Sequence, residues 1–187
     1  MSNKQICVFL DRDGVINSLS NGYANTPDTF EFIAKSPQAI KMLNDNNIKV
    51  VVVTNQGGIE SGHLTHEDLA NVHKFMEEQL KKFGAKVDKT YYCCTNDPTD
   101  PMRKPNTGML LKAIEELKLN SDCKFYFVGD SLTDIQAGNA IHATTILVKT
   151  GLGTNEYNKR KSLLECPTYV SQNLYTSVLY ILKQENL

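Results

Sequence analysis

The stretch ICVFLDRDG, residues 6–14, opens with a continuous apolar run and ends in two aspartates separated by one arginine. A short apolar run of this kind is typical of a strand that is covered on both faces. Similar runs recur along the chain with helical patterns between them. The predicted strands are residues 6–10, 48–53, 90–93, 124–128 and 145–148. This alternation predicts an α/β fold with a doubly wound, Rossmann-like parallel sheet.

The predicted helices between the strands carry apolar residues at helical spacing. The clearest one spans residues 65–83, where Thr65 and Asp68 match a capping box and Gly84 is a stop signal. The other predicted helices are residues 37–46, 107–117, 133–141 and 176–183. A chain of 187 residues with 41% hydrophobic residues can bury one core. We therefore expect a single domain over residues 1–187.

Composition excludes several classes of partner. The formal net charge is -1, and no basic run marks a nucleic-acid site. No apolar stretch approaches the roughly 20 residues of a membrane span, and the charges at residues 11–13 interrupt the N-terminal apolar run, which argues against a signal peptide. Five cysteines form no evident disulfide framework. We expect a cytoplasmic monomer without a nucleic-acid or membrane partner.

Polar segments follow four of the predicted strands. In order, these are residues 11–14, 54–58, 103–105 and 129–134. In doubly wound sheets, ligands bind outside the carboxyl ends of the strands, so the four segments should converge at one edge. Taken singly, each also fits an ordinary turn, a helix cap or a solvated charge. Their convergence is what favours a functional site.

The residue types in these segments suit phosphate chemistry. The carboxylates of Asp11, Asp13 and Asp130 would repel one another, and a bound magnesium ion would offset that repulsion. Thr54 can donate a hydrogen bond to a phosphoryl oxygen, and Lys104 is a compact cation suited to the same group. Two readings of Asp134 remain open, because it can hold the loop or contact the metal.

Four motifs resemble those of the haloacid dehalogenase-like phosphatases. They are FLDRDGVIN, VVVTNQGGI, RKPNTGML and VGDSLTDIQAG, and they occur in the family's order. Within that family, Arg12, Asn17 and the NGY at residues 21–23 resemble the D-glycero-D-manno-heptose-1,7-bisphosphate 7-phosphatase and histidinol-phosphatase subfamily. The intervals between the motifs are filled by predicted core elements. A core without a cap domain is therefore expected.

The resemblance implies residue roles. Asp11 would be the nucleophile that forms an aspartyl-phosphate, and Asp13 the general acid and base. Thr54 and Lys104 would stabilise charge on the transferring group, and Mg²⁺ would bind Asp11, the backbone carbonyl of Asp13 and Asp130. The residues expected to bind substrate are Ser20, Asn21, Gly22, Tyr23, Asn55, Gln56, Arg103 and Ser131.

One loop departs from the subfamily pattern. Many of its members carry a zinc loop of cysteines and histidine before the Arg-Lys-Pro segment, whereas residues 93–103 here read CCTNDPTDPMR. Two adjacent thiols fall short of the four ligands of a structural zinc site, so we expect no structural zinc. The four histidines of the chain do not form a metal-binding set. We expect surface positions for His63, His66 and His73, a helix-to-strand connection for His142, and no catalytic histidine.

The sequence leaves several alternative substrates. A small phosphorylated metabolite is expected, and D-glycero-D-manno-heptose 1,7-bisphosphate, losing its 7-phosphate, is the leading prediction. Histidinol phosphate and a polynucleotide 3'-phosphate are alternative substrates, although the net charge disfavours the latter. A non-catalytic phosphosugar-binding module is the alternative from another class of protein, and a turnover assay would separate it from an enzyme.

Overall fold

A six-stranded, wholly parallel sheet forms the centre of the computed structural model, which describes residues 5–20 and 22–187. The strands are β1 (Ile6–Leu10), β2 (Lys49–Asn55), β3 (Lys89–Cys93), β4 (Lys124–Gly129), β5 (Thr144–Val148) and β6 (Tyr169–Ser171). Their order across the sheet is β3-β2-β1-β4-β5-β6. This order is that of a doubly wound sheet, with the topological switch point between β1 and β4. The predicted fold class is confirmed.

Helices connect the strands. They are α1 (Ser36–Asp45), α2 (His66–Lys82), α3 (Gly108–Glu116), α4 (Leu132–Ala140), α5 (Gly153–Lys159) and α6 (Leu174–Glu185), with 3₁₀ turns at Pro27–Thr29 and Leu163–Glu165. The predicted capping box of α2 is present, because Asp68 N donates to the Thr65 hydroxyl at 3.1 Å and Thr65 N donates to the Asp68 carboxylate at 2.8 Å. No helix in the described part of the chain is long and apolar enough to cross a bilayer.

The sheet separates two apolar cores, because alternate strand residues point to opposite faces. On one face, Val8 and Val50 pack with α1, α2 and α6. On the other face, Cys7, Phe9 and Val51 pack with α3 and with Ala137 of α4. Strands covered on both faces carry continuous apolar runs, which is why the sequence pattern located them.

One strand and one helix were not predicted from the sequence. The strand β6 is only three residues long, and the helix α5 has the polar sequence GTNEYNK, in which only Gly153 is buried. Neither contains enough apolar residues to establish a period. The strand β2 also extends two residues beyond its predicted end, because Thr54 and Asn55 pair with Tyr92 and Cys93 of β3.

Candidate active site

The predicted polar segments converge at the carboxyl ends of β1, β2 and β4, next to the switch point. They surround a cavity of about 120 Å³. Its lining residues are Asp11, Asp13, Leu19, Tyr23, Thr54, Asn55, Lys104, Asp130, Ser131, Thr133 and Leu152. The cavity therefore combines groups from segments that are distant in sequence.

Three carboxylates, those of Asp11, Asp130 and Asp134, form what we call the carboxylate cluster. One oxygen from each lies within 4.8 Å of the others. The ammonium of Lys104 lies 2.9 Å from Asp11 Oδ1 and 2.6 Å from Asp134 Oδ1, and it donates to the carbonyl of Val53 at 2.8 Å. All four charged side chains are almost completely buried. One cation thus faces three carboxylates in a site that solvent hardly reaches.

This imbalance changes the protonation equilibria of the cluster. Burial raises the pKa of Asp11 to about 6, although Lys104 opposes the effect. Burial, reinforced by the charges of Asp11 and Asp134, raises the pKa of Asp130 to about 8. Burial alone would lower the pKa of Lys104, but the two facing carboxylates outweigh it and raise that pKa above its ordinary value. An all-oxygen donor set with excess negative charge fits Mg²⁺.

A segment after β5 holds Asp130 in place. The backbone N–H of Leu152 donates to Asp130 Oδ2 at 2.8 Å, and the Thr150 hydroxyl donates to the carbonyl of Gly14 at 2.7 Å. A Cβ on Gly14 or on Gly151 would lie 2.0 Å from Asp130 Oδ2, and both glycines have positive φ. This segment was not predicted from the sequence. The glycines of TGLG directly after a buried strand were the signal that could have identified it.

The surroundings of Asp13 differ from those of the cluster. Arg12 Nη2 donates to both carboxylate oxygens of Asp13, at 3.0 and 2.8 Å. Asn17 Nδ2 donates to Oδ1 at 3.0 Å, and Gln56 Nε2 donates to Oδ2 at 2.8 Å. We call Arg12, Asp13, Asn17 and Gln56 the Asp13 network. It fixes the orientation of this carboxylate through three side-chain donors.

The prediction of a surface position for His73 is wrong. His73 is 9% exposed, and its Nε2 lies 3.3 Å from Arg12 Nη1. It lies on the inward face of α2, four residues after Leu69 and three before Met76, so the helical period already pointed to burial. The positions of His63 and His66 are exposed, and His142 lies in the turn between α4 and β5, as expected.

Residues next to Lys104 and Thr54 orient both side chains. The Asn55 side chain donates to the carbonyl of Lys104 and accepts from its backbone N–H, both at 3.0 Å. Gln56 Nε2 donates to the Thr54 hydroxyl at 2.9 Å in addition to Asp13. Ser131 caps α4 together with Asp134, whose carboxylate accepts from Ser131 N at 3.0 Å. Asp134 therefore holds the loop and contacts Lys104 with its other oxygen.

A second, larger cavity of about 530 Å³ adjoins the first, because Tyr23 and Asn55 line both. Its other lining residues are Asn25, Gln56, Gly57, Gly58, Ser61, His63, Leu64, Asn96 and Arg103. Of the residues predicted to bind substrate, Tyr23, Asn55, Gln56, Arg103 and Ser131 line one or both cavities. Ser20 and Gly22 are not among the lining residues, and Asn21 lies outside the described residues.

Hydrogen bonds hold the Cys93–Arg103 loop against the segment after β2. Glu60 accepts from the Thr95 hydroxyl at 3.0 Å and from Asn96 N at 2.5 Å. Asn96 Nδ2 donates to the carbonyl of Gly57 and to Ser61 Oγ, both at 2.9 Å. Arg103 Nη1 donates to the carbonyl of Thr95 at 2.5 Å. These contacts build one wall of the larger cavity.

Comparisons with known proteins identify relatives of this chain. A HAD-hydrolase-like family model, named for the haloacid dehalogenases, matches residues 101–177. The D-glycero-beta-D-manno-heptose-1,7-bisphosphate 7-phosphatase of Pasteurella multocida is 35% identical over 83% of this chain and 88% of that protein. The corresponding enzyme of Chlorobaculum tepidum is 31% identical over 95% of this chain and 94% of its own length.

A solved structure shows the same similarity in three dimensions. The D,D-heptose 1,7-bisphosphate phosphatase of B. bronchiseptica, complexed with magnesium and phosphate, superposes with a TM-score of 0.87 at 30% identity. The match covers 96% of this chain and 99% of that one. Sequence and fold thus agree over nearly the whole length. The chain belongs to the haloacid dehalogenase-like family, and it is a phosphatase of the group that contains the heptose-1,7-bisphosphate 7-phosphatases.

Proposed function

We propose that this phosphatase is magnesium-dependent, acts through a phosphoaspartate on Asp11, and removes the 7-phosphate of D-glycero-D-manno-heptose 1,7-bisphosphate. The observation that carries the proposal is the position of Asp11, whose carboxylate lines the smaller cavity 2.9 Å from the Lys104 ammonium. A nucleophile beside a buried cation is suited to attack an anionic phosphoryl group. The relatives named above supply the substrate.

Asp11 forms the covalent intermediate of the reaction. One of its carboxylate oxygens attacks phosphorus, the bond from phosphorus to the ester oxygen breaks, and the leaving alcohol takes a proton. Water then attacks the phosphoaspartate, and breakage of its P–O bond regenerates the carboxylate and releases inorganic phosphate. Each half-reaction has a lower barrier than direct hydrolysis.

Asp13 performs the proton transfers. It donates its proton to the leaving ester oxygen in the first step and accepts a proton from water in the second. Its carboxylate lines the same cavity as Asp11, two residues along the chain. The three side-chain donors of the Asp13 network hold it in one orientation, which proton transfer requires.

Thr54 and Lys104 stabilise the charge that develops on the transferring phosphoryl group. Thr54 presents a hydroxyl at the end of β2, and Lys104 presents an ammonium, so one neutral and one charged donor face the cavity. Preorganised donors of this kind contribute without reorganising during the reaction. Asn55 and Gln56 fix these two residues through the hydrogen bonds described above.

The carboxylate cluster provides the magnesium site. Asp11 and Asp130 would hold the ion together with the backbone carbonyl of Asp13, while Asp134 is occupied by Ser131 and Lys104. The raised pKa values of Asp11 and Asp130 reflect the missing positive charge, and a divalent cation would supply it. When bound, magnesium neutralises charge on the phosphoryl oxygens.

The larger cavity accommodates the rest of the substrate. Its volume of about 530 Å³ exceeds that of the catalytic cavity more than fourfold, and Arg103 is the only Lys, Arg, Asp or Glu among its described lining residues. A guanidinium recognises phosphate in a forked arrangement. We assign Arg103 to the phosphate that is not cleaved, which explains why a bisphosphate would be preferred over a monophosphate.

A panel of phosphorylated metabolites tests this function. With magnesium present, the kcat/KM of the protein should be higher for heptose 1,7-bisphosphate than for hexose monophosphates, histidinol phosphate or a DNA 3'-phosphate. Arg103→Gln should raise KM for the bisphosphate about tenfold and change KM for a monophosphate much less. Lys112→Gln, on the exposed face of α3, is the charge-matched control. Preference for histidinol phosphate or a DNA end would refute the substrate, and absence of any turnover would favour the binding-module alternative.

A further inference from the structure

We propose that His73 is a positioning residue for the proton-transfer step, because it orients Arg12 and Arg12 in turn holds the carboxylate of Asp13. The inference rests on the acid–base role given to Asp13 in the proposed function. It concerns a side chain on α2 that lines neither cavity.

Arg12 is a charged side chain in the protein interior. It is completely buried, and one guanidinium nitrogen contacts both oxygens of Asp13. Its Nε has no hydrogen-bond partner among the described residues. The orientation of the guanidinium is therefore set by Asp13, by a 3.5 Å contact with the carbonyl of Ala24, and by His73. Of these, His73 is the side chain that does not itself take part in the reaction.

The chemistry of the pair fixes the state of His73. A guanidinium can only donate hydrogen bonds, so His73 Nε2 must accept, and the ring proton must be on Nδ1. Burial, aided by the charge of Arg12, lowers the pKa of His73 to about 4. The ring is therefore neutral near pH 7 and keeps its acceptor. A protonated ring would repel Arg12.

The position of His73 is also fixed by its surroundings. It lies within α2, whose start is capped by Thr65 and Asp68. Its ring contacts that of Tyr92, with ring centroids 5.9 Å apart. Tyr92 pairs with Thr54 in the sheet, so the acceptor for Arg12 packs against β3, the strand next to the one that carries Thr54. Helix α2 is thereby connected to the acid–base residue.

Loss of the His73 acceptor would allow the Asp13 carboxylate more than one orientation, although the carboxylate would remain hydrogen-bonded. Asn17 and Gln56 would still donate to the carboxylate, but Arg12 would lose the contact that limits its rotation. Proton transfer depends steeply on hydrogen-bond geometry. An alkoxide leaves poorly without a proton, whereas nitrophenolate leaves readily. The defect should therefore appear mainly with alkyl phosphates.

The experiment compares kcat/KM for a hexose 6-phosphate with kcat/KM for p-nitrophenyl phosphate, with magnesium present in both assays. His73→Leu should lower kcat/KM for the hexose phosphate by about 30-fold and for the aryl phosphate by about threefold or less. His73→Gln, which offers an amide oxygen to Arg12, should recover most of the loss. His66→Leu is the matched control, because that exposed ring also faces Tyr92 but does not contact Arg12.

Arg12→Lys gives an independent test that does not depend on how His73 variants fold. It should lower the ratio of alkyl to aryl activity in the same way, since an ammonium cannot reproduce the guanidinium contacts. Equal losses of activity on both esters in His73→Leu would mean that His73 is merely structural and would overturn the inference. Failure of His73→Gln to recover the ratio of alkyl to aryl activity would overturn it as well. Inactivity of the wild-type protein toward both esters and toward heptose 1,7-bisphosphate would instead refute the proposed function, and the inference with it.

Discussion

Asp11 and Asp13 are separated by one residue, yet their surroundings are opposite. Asp11 belongs to the carboxylate cluster, where three carboxylates share the single ammonium of Lys104. Asp13 accepts four hydrogen bonds from three side chains, and one of them is a buried guanidinium. The first carboxylate lies where positive charge is deficient, and the second lies where donors are plentiful.

The difference would allow one motif to supply the two kinds of chemistry proposed above. A carboxylate crowded by like charges favours a cation or an electrophilic phosphorus nearby, whereas a carboxylate held by several donors is oriented for proton transfer. The strand β1 ends before both residues, so its geometry alone does not separate them. Their partners do, because Gln56 after β2 donates to Asp13, whereas Lys104 and Asp130, which follows β4, lie beside Asp11. The role proposed for each aspartate thus rests on its neighbours.

The largest expected effect comes from the nucleophile. Asp11→Asn should lower kcat by about 10⁴-fold or more, because an amide of the same shape cannot attack phosphorus. We expect this loss with aryl and alkyl phosphates alike, because both esters lose their leaving group only when Asp11 attacks phosphorus. Steady-state kinetics with both esters measure it. Asp122→Asn, exposed at the opposite edge of the sheet, is the control, and substantial residual activity in Asp11→Asn would exclude Asp11 as nucleophile.

Metal removal is the next largest effect. Chelation should lower activity more than about 100-fold, and added magnesium should restore it, because the cluster lacks positive charge. Calcium should not restore activity and should compete with magnesium, since it prefers more oxygen ligands in a looser geometry. Activity measured after exhaustive chelation and stepwise metal addition provides the test. Full turnover in calcium or without metal would contradict the role given to the cluster.

The two regions should also differ in their effect on stability. The pKa of Asp130 rises from 3.8 to about 8 in the metal-free fold, so the native state retains a proton that the unfolded chain releases. Metal-free stability should therefore fall as pH rises from about 4 to 8. Asp130→Asn should raise the metal-free Tm at pH 8 by about 4 °C, and much less at pH 5.

Asn17→Ala provides the contrast in the Asp13 network. It removes a buried donor to Asp13 and should lower Tm by a few degrees, about the effect of 1 kcal/mol. Thermal unfolding followed by circular dichroism in chelator, at both pH values, measures the two variants. If Asp130→Asn destabilises the metal-free protein at pH 8, the cluster is not electrostatically strained and the comparison fails.

The smallest expected effect concerns a second metal. The cluster should hold magnesium, whereas the Cys93–Arg103 loop should hold no stoichiometric zinc, because it offers only two adjacent thiols and no histidine. Its hydrogen bonds to Glu60 fix it without a metal. Elemental analysis of protein purified without chelator should find far less than one zinc per chain. Glu60→Gln should raise KM only about twofold to threefold by loosening one wall of the larger cavity. About one bound zinc per chain would refute this prediction.

Continuous apolar runs and helical periods were sufficient to predict the five longer strands and the parallel sheet. Burial on both faces forces strands such as β1 and β2 to be apolar throughout, so the pattern is visible in the sequence. The rule that carboxyl ends of strands carry the site then placed Asp11, Thr54, Lys104 and Asp130 around one cavity. The same rule applied to TGLG after β5 would have added Gly151.

The sequence by itself thus determined the fold class and which polar segments meet, because both follow from local patterns and from strand direction. Tertiary structure decided the environment of each charged group. Arg12 and His73 are 61 residues apart, and no local pattern relates them. The contrast between Asp11 and Asp13 likewise depends on which donors the packed helices and neighbouring strands bring near, since electrostatic energies depend on distance and burial rather than on position in the chain.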